Sequence, residues 1–265
     1  MNLDIYTTEM AKSVWDKAFF MDKIPGVKCV IDFGCADGAM IRFLAPLFPE
    51  IEFIGYDINE VLIEKAQKSS PTYDNIVFFH GISSVYTYMK GIKHYQPEEI
   101  CINFSSVLHE VFSSTGGIDC IQYLVNELKP RYITIRDMYC DDTIDIRKSE
   151  DITYILDNIV AHFGLRVKEK YFREYAKECG PISTWRDFTH LLMKLQWIDN
   201  GWDDELKENY FSWIIGDIIT MCPNYSPVFE CRYQLPYLSE KWRKDFNWYN
   251  PDMHTHAQFI LRRDD

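Results

Sequence analysis

Asp32-Phe33-Gly34-Cys35-Ala36-Asp37-Gly38 joins an apolar run, Val27 to Ile31, to a periodic apolar stretch, Ala39 to Leu47. The pattern reads as a buried strand, a tight turn and the start of a helix. Gly34 lacks a Cβ and can take a backbone shape closed to other residues, while Gly38 lets a group pack closely on the turn. A helix start offers free N–H groups to an anionic or polar ligand. A second apolar run, Ile51 to Tyr56, ends in Asp57. A carboxylate at that strand end accepts both hydroxyls of a ribose. Asp57 also suits the N-cap of a helix over Glu60 to Lys68. Phosphate chemistry is excluded at the loop, because GxxxxGK[ST] is absent and Ala36 and Gly38 break the GxGxxG spacing. The two segments in register point to a nucleoside; the alternative is an ordinary strand-to-helix turn.

Three more apolar runs follow. Asn75 to Phe79 leads into His80-Gly81-Ile82-Ser83, Glu99 to Phe104 into Ser105 through Val111, and Arg131 to Ile135 into Arg136-Asp137-Met138-Tyr139. Ligands of open parallel sheets lie beyond the carboxyl ends of the strands. The segments after these runs are therefore candidate site segments. His109 is the best titratable candidate, since an imidazole removes a proton near neutral pH. The alternative is a histidine that caps or packs below the nucleoside. Glu110 and Asp137 stand with it as catalytic candidates, although an acid also suits a helix first turn. Arg136 and Tyr139 are candidates for holding the second reactant. Arg136 and Asp137 could equally pair with each other.

Acidic-x-Gly-x-small-x-Gly at 32–38 and Gly55-Tyr56-Asp57-Ile58-Asn59 resemble the first two motifs of class I, Rossmann-like S-adenosylmethionine (SAM) dependent methyltransferases. Ala36 replaces the usual middle glycine. Gly81 matches a Gly-Asp pair whose acid meets adenine, but Ile82 stands in the acid's place. The serine, apolar and histidine order from Ser105 to His109 is similar to the fourth-motif region. The resemblance covers residues 26 to 140. It implies SAM as cofactor, S-adenosylhomocysteine as product, and transfer of a methyl group to an oxygen or nitrogen nucleophile. It assigns cofactor contacts to Asp32, Gly34, Cys35, Ala36, Gly38, Asp57, Ile58, Gly81, Ile82, Ser83 and Ser105. An RNA or nucleotide acceptor and a catalytically inactive SAM-binding partner protein are the competing readings.

The chain has 265 residues, a formal charge of −12 and 15% aromatic residues. The acidic balance favours a small-molecule or peptide acceptor over a long nucleic-acid duplex, which demands a basic surface. One basic segment stands out: Arg166, Lys168, Lys170, Arg173 and Lys177, whose first three members alternate as on a solvated strand face. The eight cysteines have no paired spacing, which predicts free thiols and a reducing, cytoplasmic compartment. No apolar run is long enough for a membrane span. His254 and His256 have no evident further ligands, so no metal site is expected.

The expected fold is α/β, a doubly wound, mostly parallel seven-stranded sheet with an antiparallel last strand and a helical insertion before the sixth strand. An amphipathic N-terminal helix over Thr8 to Met21 and residues through 164 form the SAM-binding core. A helix is expected from Ser149 to Phe163. The insertion, 165–224, carries two expected helices, Ile182 to Trp197 and Asp203 to Ile219. Residues 225–265 supply the last two strands, Pro227 to Gln234 and Thr255 to Arg262, around a helix from Pro236 to Phe246. The insertion's aromatics include Trp185, Trp197, Trp202, Trp213 and Tyr210. They read either as helix core or as a lid that sets acceptor choice, with Trp185 touching the acceptor.

Overall fold

A computed structural model describes residues 13–70, 73–92, 94–148, 152–199 and 201–264. The apolar runs become strands β1 (Cys29–Phe33), β2 (Glu52–Tyr56), β3 (Ile76–Phe79), β4 (Ile100–Ser105), β5 (Tyr132–Met138), β6 (Tyr225–Tyr233) and β7 (His256–Arg263). They form one sheet of order β3-β2-β1-β4-β5-β7-β6. The pairs β1·β2, β1·β4, β2·β3 and β4·β5 are parallel. All five residues of β1 and of β2 are buried, as expected for strands covered on both faces. Bonds from Tyr139 N–H to Thr255 O and from Arg263 N–H to Arg131 O set β7 antiparallel to β5. Bonds from Thr255 N–H to Tyr233 O and from Asp264 N–H to Asn224 O set β6 antiparallel to β7.

Connecting helices are α1 (Ala39–Leu44), α2 (Glu60–Lys68), α3 (Ile82–Thr87), α4 (Leu108–Ser113), α5 (Gly117–Leu128) and α6 (Ile152–Phe163). They are followed by α7 (Phe172–Glu178), α8 (Trp185–Leu195), α9 (Trp202–Glu205), α10 (Ile215–Met221) and α11 (Pro236–Phe246). Two expectations change at the chain's start. Of the helix expected over Thr8 to Met21, residues 8–12 lie outside the described residues, and only Val14–Lys17 is helical beyond them. Asp57 does not cap α2; the Asn59 side chain does, accepting from Val61 and Leu62 N–H.

The chain groups into two compact units. The first comprises residues up to Asp137 with Ile215–Cys231 and Gln258–Asp265. Its core includes Val30, Ile41, Leu44, Phe53, Ala66, Cys101 and Ile260. The second comprises Met138–Ile214 and Arg232–Ala257. There Ile155, Tyr175, Phe188, Leu191, Trp202, Trp242 and Trp248 pack together.

The second unit corrects two sequence expectations. Arg166, Lys168 and Lys170 are not on a strand: Val167–Tyr171 is a π-helical stretch leading directly into α7. The buried residues Val167, Tyr171 and Tyr175 recur every four positions, and that helical spacing outweighs the alternation of charges. The single helix expected from Asp203 to Ile219 is broken into α9 and α10. Side chains of α8 take over the backbone groups in the gap. Lys194 Nζ donates to Glu205 O and to Glu208 O, the latter at 2.6 Å. Arg186 donates to Phe211 O, and His190 Nε2 accepts from Tyr210 N–H at 3.3 Å.

The turn after β1 depends on missing side-chain atoms. Gly34 has φ +79°, and a Cβ there would stand 2.4 Å from Val107 Cγ2. Gly34→Ala is expected to destabilise the fold by about 1–3 kcal/mol. Chemical denaturation checks this, and an unchanged midpoint would contradict the assigned turn.

Candidate active site in the first unit

The loop after β1 is fastened to the end of β2. Gly34 and Cys35 N–H both donate to Tyr56 O, at 2.7 and 2.9 Å. Ala36 sits at φ +48°, and its N–H donates to Asp57 Oδ2 at 2.8 Å. The other oxygen, Oδ1, accepts from Asn59 N–H at 2.9 Å. Each carboxylate oxygen has two acceptor directions, so capacity remains for a pair of hydroxyls. Burial raises the Asp57 pKa, and the two backbone donors oppose that. Beside it, Ile58 is 83% exposed, an uncovered apolar surface at the strand end. At Gly38, φ is +74° and a Cβ would meet the Phe78 ring at 2.5 Å.

Asp32 lies deeper, in a polar ladder running across three strands. Parallel register places Asp32 beside Asn103 and Asn103 beside Thr134. Thr134 Oγ1 donates to Asn103 Oδ1 at 2.9 Å, and Asn103 Nδ2 donates to Asp32 Oδ1 at 2.8 Å. Burial raises Asp32 to about 6, against the lowering effects of Asn103 and Lys17. Lys17, itself buried, is lowered to about 8 by burial and by Arg136, against the pull of Asp32, Asp137 and Asp16. Between those two values the site holds a carboxylate and an ammonium together. Lys17, Asp32, Gly34, Ala36, Met40 and Ser105 line one pocket. Ser105 Oγ, buried there, has no hydrogen-bond partner among the described residues.

Asp137 and Arg136, adjacent on β5, have different hydrogen-bond partners. Asp137 is fully buried. Its Oδ2 accepts from the N–H groups of Val107, Leu108 and His109 at 3.1, 2.6 and 3.2 Å. Its Oδ1 lies 2.7 Å from His109 Nδ1. The carboxylate thus caps α4 and fixes the imidazole. With Nδ1–H donating to Asp137, Nε2 is the nitrogen that accepts when the imidazole is neutral. Nε2 lies 3.9 Å from Glu110 Oε1. Asp137 is accordingly a residue that positions His109. Arg136 donates through Nε to Asp16 Oδ2 at 2.6 Å and through Nη1 to Ser106 Oγ at 2.8 Å. Gln258 Nε2 also donates to Asp16, to its backbone O at 3.1 Å and to Oδ1 at 3.0 Å. The Arg136 guanidinium therefore anchors the Val14–Lys17 turn.

Of the remaining candidates, Cys35 is a buried thiol whose pKa burial pushes well up. Gly81 precedes α3 in extended conformation, and Ile82 and Ser83 form its first turn. Tyr139 and Trp185 belong to the second unit. Tyr139 is buried, its hydroxyl 3.3 Å from Asp141 Oδ2, its ring 5.2 Å from that of Trp213. Trp185 stacks on Trp248 with ring centroids 6.1 Å apart, so the aromatic stripe of α8 packs with that unit's core. Asn103 opens the segment Asn103 to Glu110 that the sequence places near the site, though its bond to Asp32 was not foreseen; Lys17 and Asp16 carry site geometry with no signal in the sequence.

Two outcomes follow from these bonds. Asp137→Ala leaves three N–H groups and an imidazole without their acceptor and is expected to cost about 3 kcal/mol, measured by urea unfolding. Asp32 has a raised folded-state pKa, so its stabilising contribution is full below about 3.8 and is lost as pH climbs through about 6. Asp32→Asn should therefore gain thermal stability relative to wild type between about pH 4 and about pH 7. A pH-independent difference in melting temperature would refute the assignment.

Comparison with known proteins agrees with this geometry. Residues 8–98 match the family model described as a methyltransferase domain. The chain is 29% identical over 119 residues to the ribosomal RNA small subunit methyltransferase C of Buchnera aphidicola subsp. Baizongia pistaciae, covering 43% of this chain and 35% of that protein. It is 20% identical over 166 residues to caffeic acid 3-O-methyltransferase 1 of Ocimum basilicum, covering 60% of this chain and 44% of that one. The chain thus spans less than half the length of these curated relatives. In fold it is similar to the methyltransferase domain of bacterial CtHen1-C, with a TM-score of 0.54 over the whole of both chains at 10% identity. The seven-stranded α/β sheet is the fold of class I, Rossmann-like methyltransferases, and residues 8–98 of the chain match a methyltransferase domain.

Proposed function

We propose that this protein is a SAM-dependent methyltransferase acting on an oxygen or nitrogen nucleophile of a small-molecule or peptide acceptor. The observation that carries the reading is the Ala36–Asp57 bond. It sets the turn at Gly34–Ala36 and a carboxylate with spare acceptor capacity side by side at the carboxyl ends of β1 and β2.

The residues present fit the cofactor. Asp57 would take the ribose hydroxyls, and Ile58 would lie against the adenine. Asp32, with Lys17 beside it, would hold the charged amino-acid end, and the free Ser105 hydroxyl would complete that pocket. When bound, SAM supplies an electrophilic methyl group on a sulfonium. The chain's own part is to position the reactants, which is worth several kcal/mol, and to take up a proton where the nucleophile loses one. His109 Nε2 is the group assigned to that proton, with Nδ1 held by Asp137. Glu110 near Nε2 provides a carboxylate beside the imidazolium so formed. The name of the basil relative favours an oxygen acceptor, and that of the Buchnera relative keeps an RNA acceptor as the second reading. The choice of acceptor is assigned to the insertion, residues 165–224.

Calorimetry with SAM tests the binding half of the proposal. Asp57→Ala should weaken binding by about 1–3 kcal/mol, and unchanged affinity would remove Asp57 from the site. His109→Asn should slow methyl transfer by about 10²–10⁴ with SAM affinity retained. Radiolabelled methyl transfer to fractionated extract measures this, with nuclease and protease arms to identify the acceptor class. Full activity in the variant would strip His109 of its role.

A further inference from the structure

The second unit carries a charged surface that the proposed chemistry does not use. Arg166, Lys170, Arg173 and Lys177 are all exposed. They follow one another at intervals of four, three and four residues along the helix formed by Val167–Tyr171 and α7. That spacing puts them on one face, over about 16 Å of helix. None of the four makes an ion pair within 4.0 Å among the described residues, whereas Lys168, on the other side of the helix, reaches Asp157 at 4.0 Å. Like charges at these spacings weaken a helix. A chain of net charge −12 has carboxylates enough to avoid that arrangement.

The face borders a pocket of about 440 Å³ lined by Arg166, Lys170, Tyr171, Trp202, Asp203 and Asp204, among others. Its walls are fixed in place. The Arg166 guanidinium and Lys170 Nζ stand 5.5 and 4.9 Å from the centre of the Tyr171 ring. The Trp202 indole N–H donates to Glu174 at 2.8 Å. Cations thus occupy one wall, and Asp203 and Asp204 contribute carboxylates to the same pocket.

We infer that this face and its pocket dock an acidic peptide segment. Its carboxylates would pair with Arg166, Lys170, Arg173 and Lys177, and its backbone N–H groups or a free amine would face Asp203 and Asp204. A polyphosphate strand satisfies the cations but sets further anions against the two aspartates. A peptide brings donors and acceptors together. The surface stands independently of methyl transfer, so its test uses the full chain without SAM.

Fluorescence anisotropy with a fluorescein-labelled peptide of alternating glutamate and alanine, long enough to span about 16 Å of helix, provides that test. The glutamate peptide should bind more tightly than a serine–alanine control. The charge reversal R166E/K170E/R173E/K177E should weaken binding by about tenfold or more, and added salt should weaken it in the wild type. The neutral set R166Q/K170Q/R173Q/K177Q, milder on the fold, should lose affinity in the same direction. Circular dichroism melting verifies folding of both variants. Equal binding of the glutamate and control peptides, indifference of binding to the neutral set, or tighter binding of oligouridylate through the same residues would each overturn the proposal.

Discussion

Buried negative charge at the carboxyl ends of parallel strands is the constraint from which this site follows. A carboxylate withdrawn from water is costly unless donors meet it. Three carboxylates stand at strand ends here, Asp137 and Asp32 buried and Asp57 half-buried, and each is met differently. Asp137 receives three backbone N–H groups and an imidazole. Asp57 receives two backbone N–H groups. Asp32 receives one amide donor directly, with Lys17 near enough to lower its pKa. The supply of internal donors thus falls from Asp137 to Asp32. The groups least provided for are those best able to accept a ligand's donors. Asp137 is spent on architecture, while Asp57 and Asp32 retain capacity.

The same constraint explains why neighbours on β5 play different parts. Successive strand residues point to opposite faces. Arg136 and Asp137 therefore turn away from each other, one toward Asp16 and Ser106, the other toward the start of α4. The arginine draws in the Val14–Lys17 turn and so brings Lys17 near Asp32. A salt bridge distant from the loop in sequence thereby shapes the electrostatics of the loop.

Local strings made much of this legible. Asp32 to Gly38 and Gly55 to Asn59 hold the turn glycines and the strand-end acid within a few residues each, where backbone demands translate directly into residue type. The parallel pairing of the first five strands followed from β–α alternation. The polar ladder Thr134–Asn103–Asp32 was hidden because it depends on cross-strand register, which no single strand reveals. Asp16 was hidden because its partner, Arg136, lies 120 residues away. In the second unit the alternating cations at 166–170 suggested a strand, but Val167, Tyr171 and Tyr175 had a four-residue period that burial favoured. The break after α9 could not be read locally either, since α8 side chains supply the bonds that a continuous helix would have made.

The attachment of Gln258 to Asp16 spans 242 residues. During synthesis on the ribosome, the segment around Asp16 emerges long before the last strand exists. Contacts so far apart in sequence are paid for late and slow the search for the native state. The glycine loop and its first strands can assemble early, but the corner holding Lys17 in place can close only after Gln258 has left the exit tunnel. Nascent chains stalled before that point would then lack part of their ligand site, even with every residue of the glycine loop already in hand.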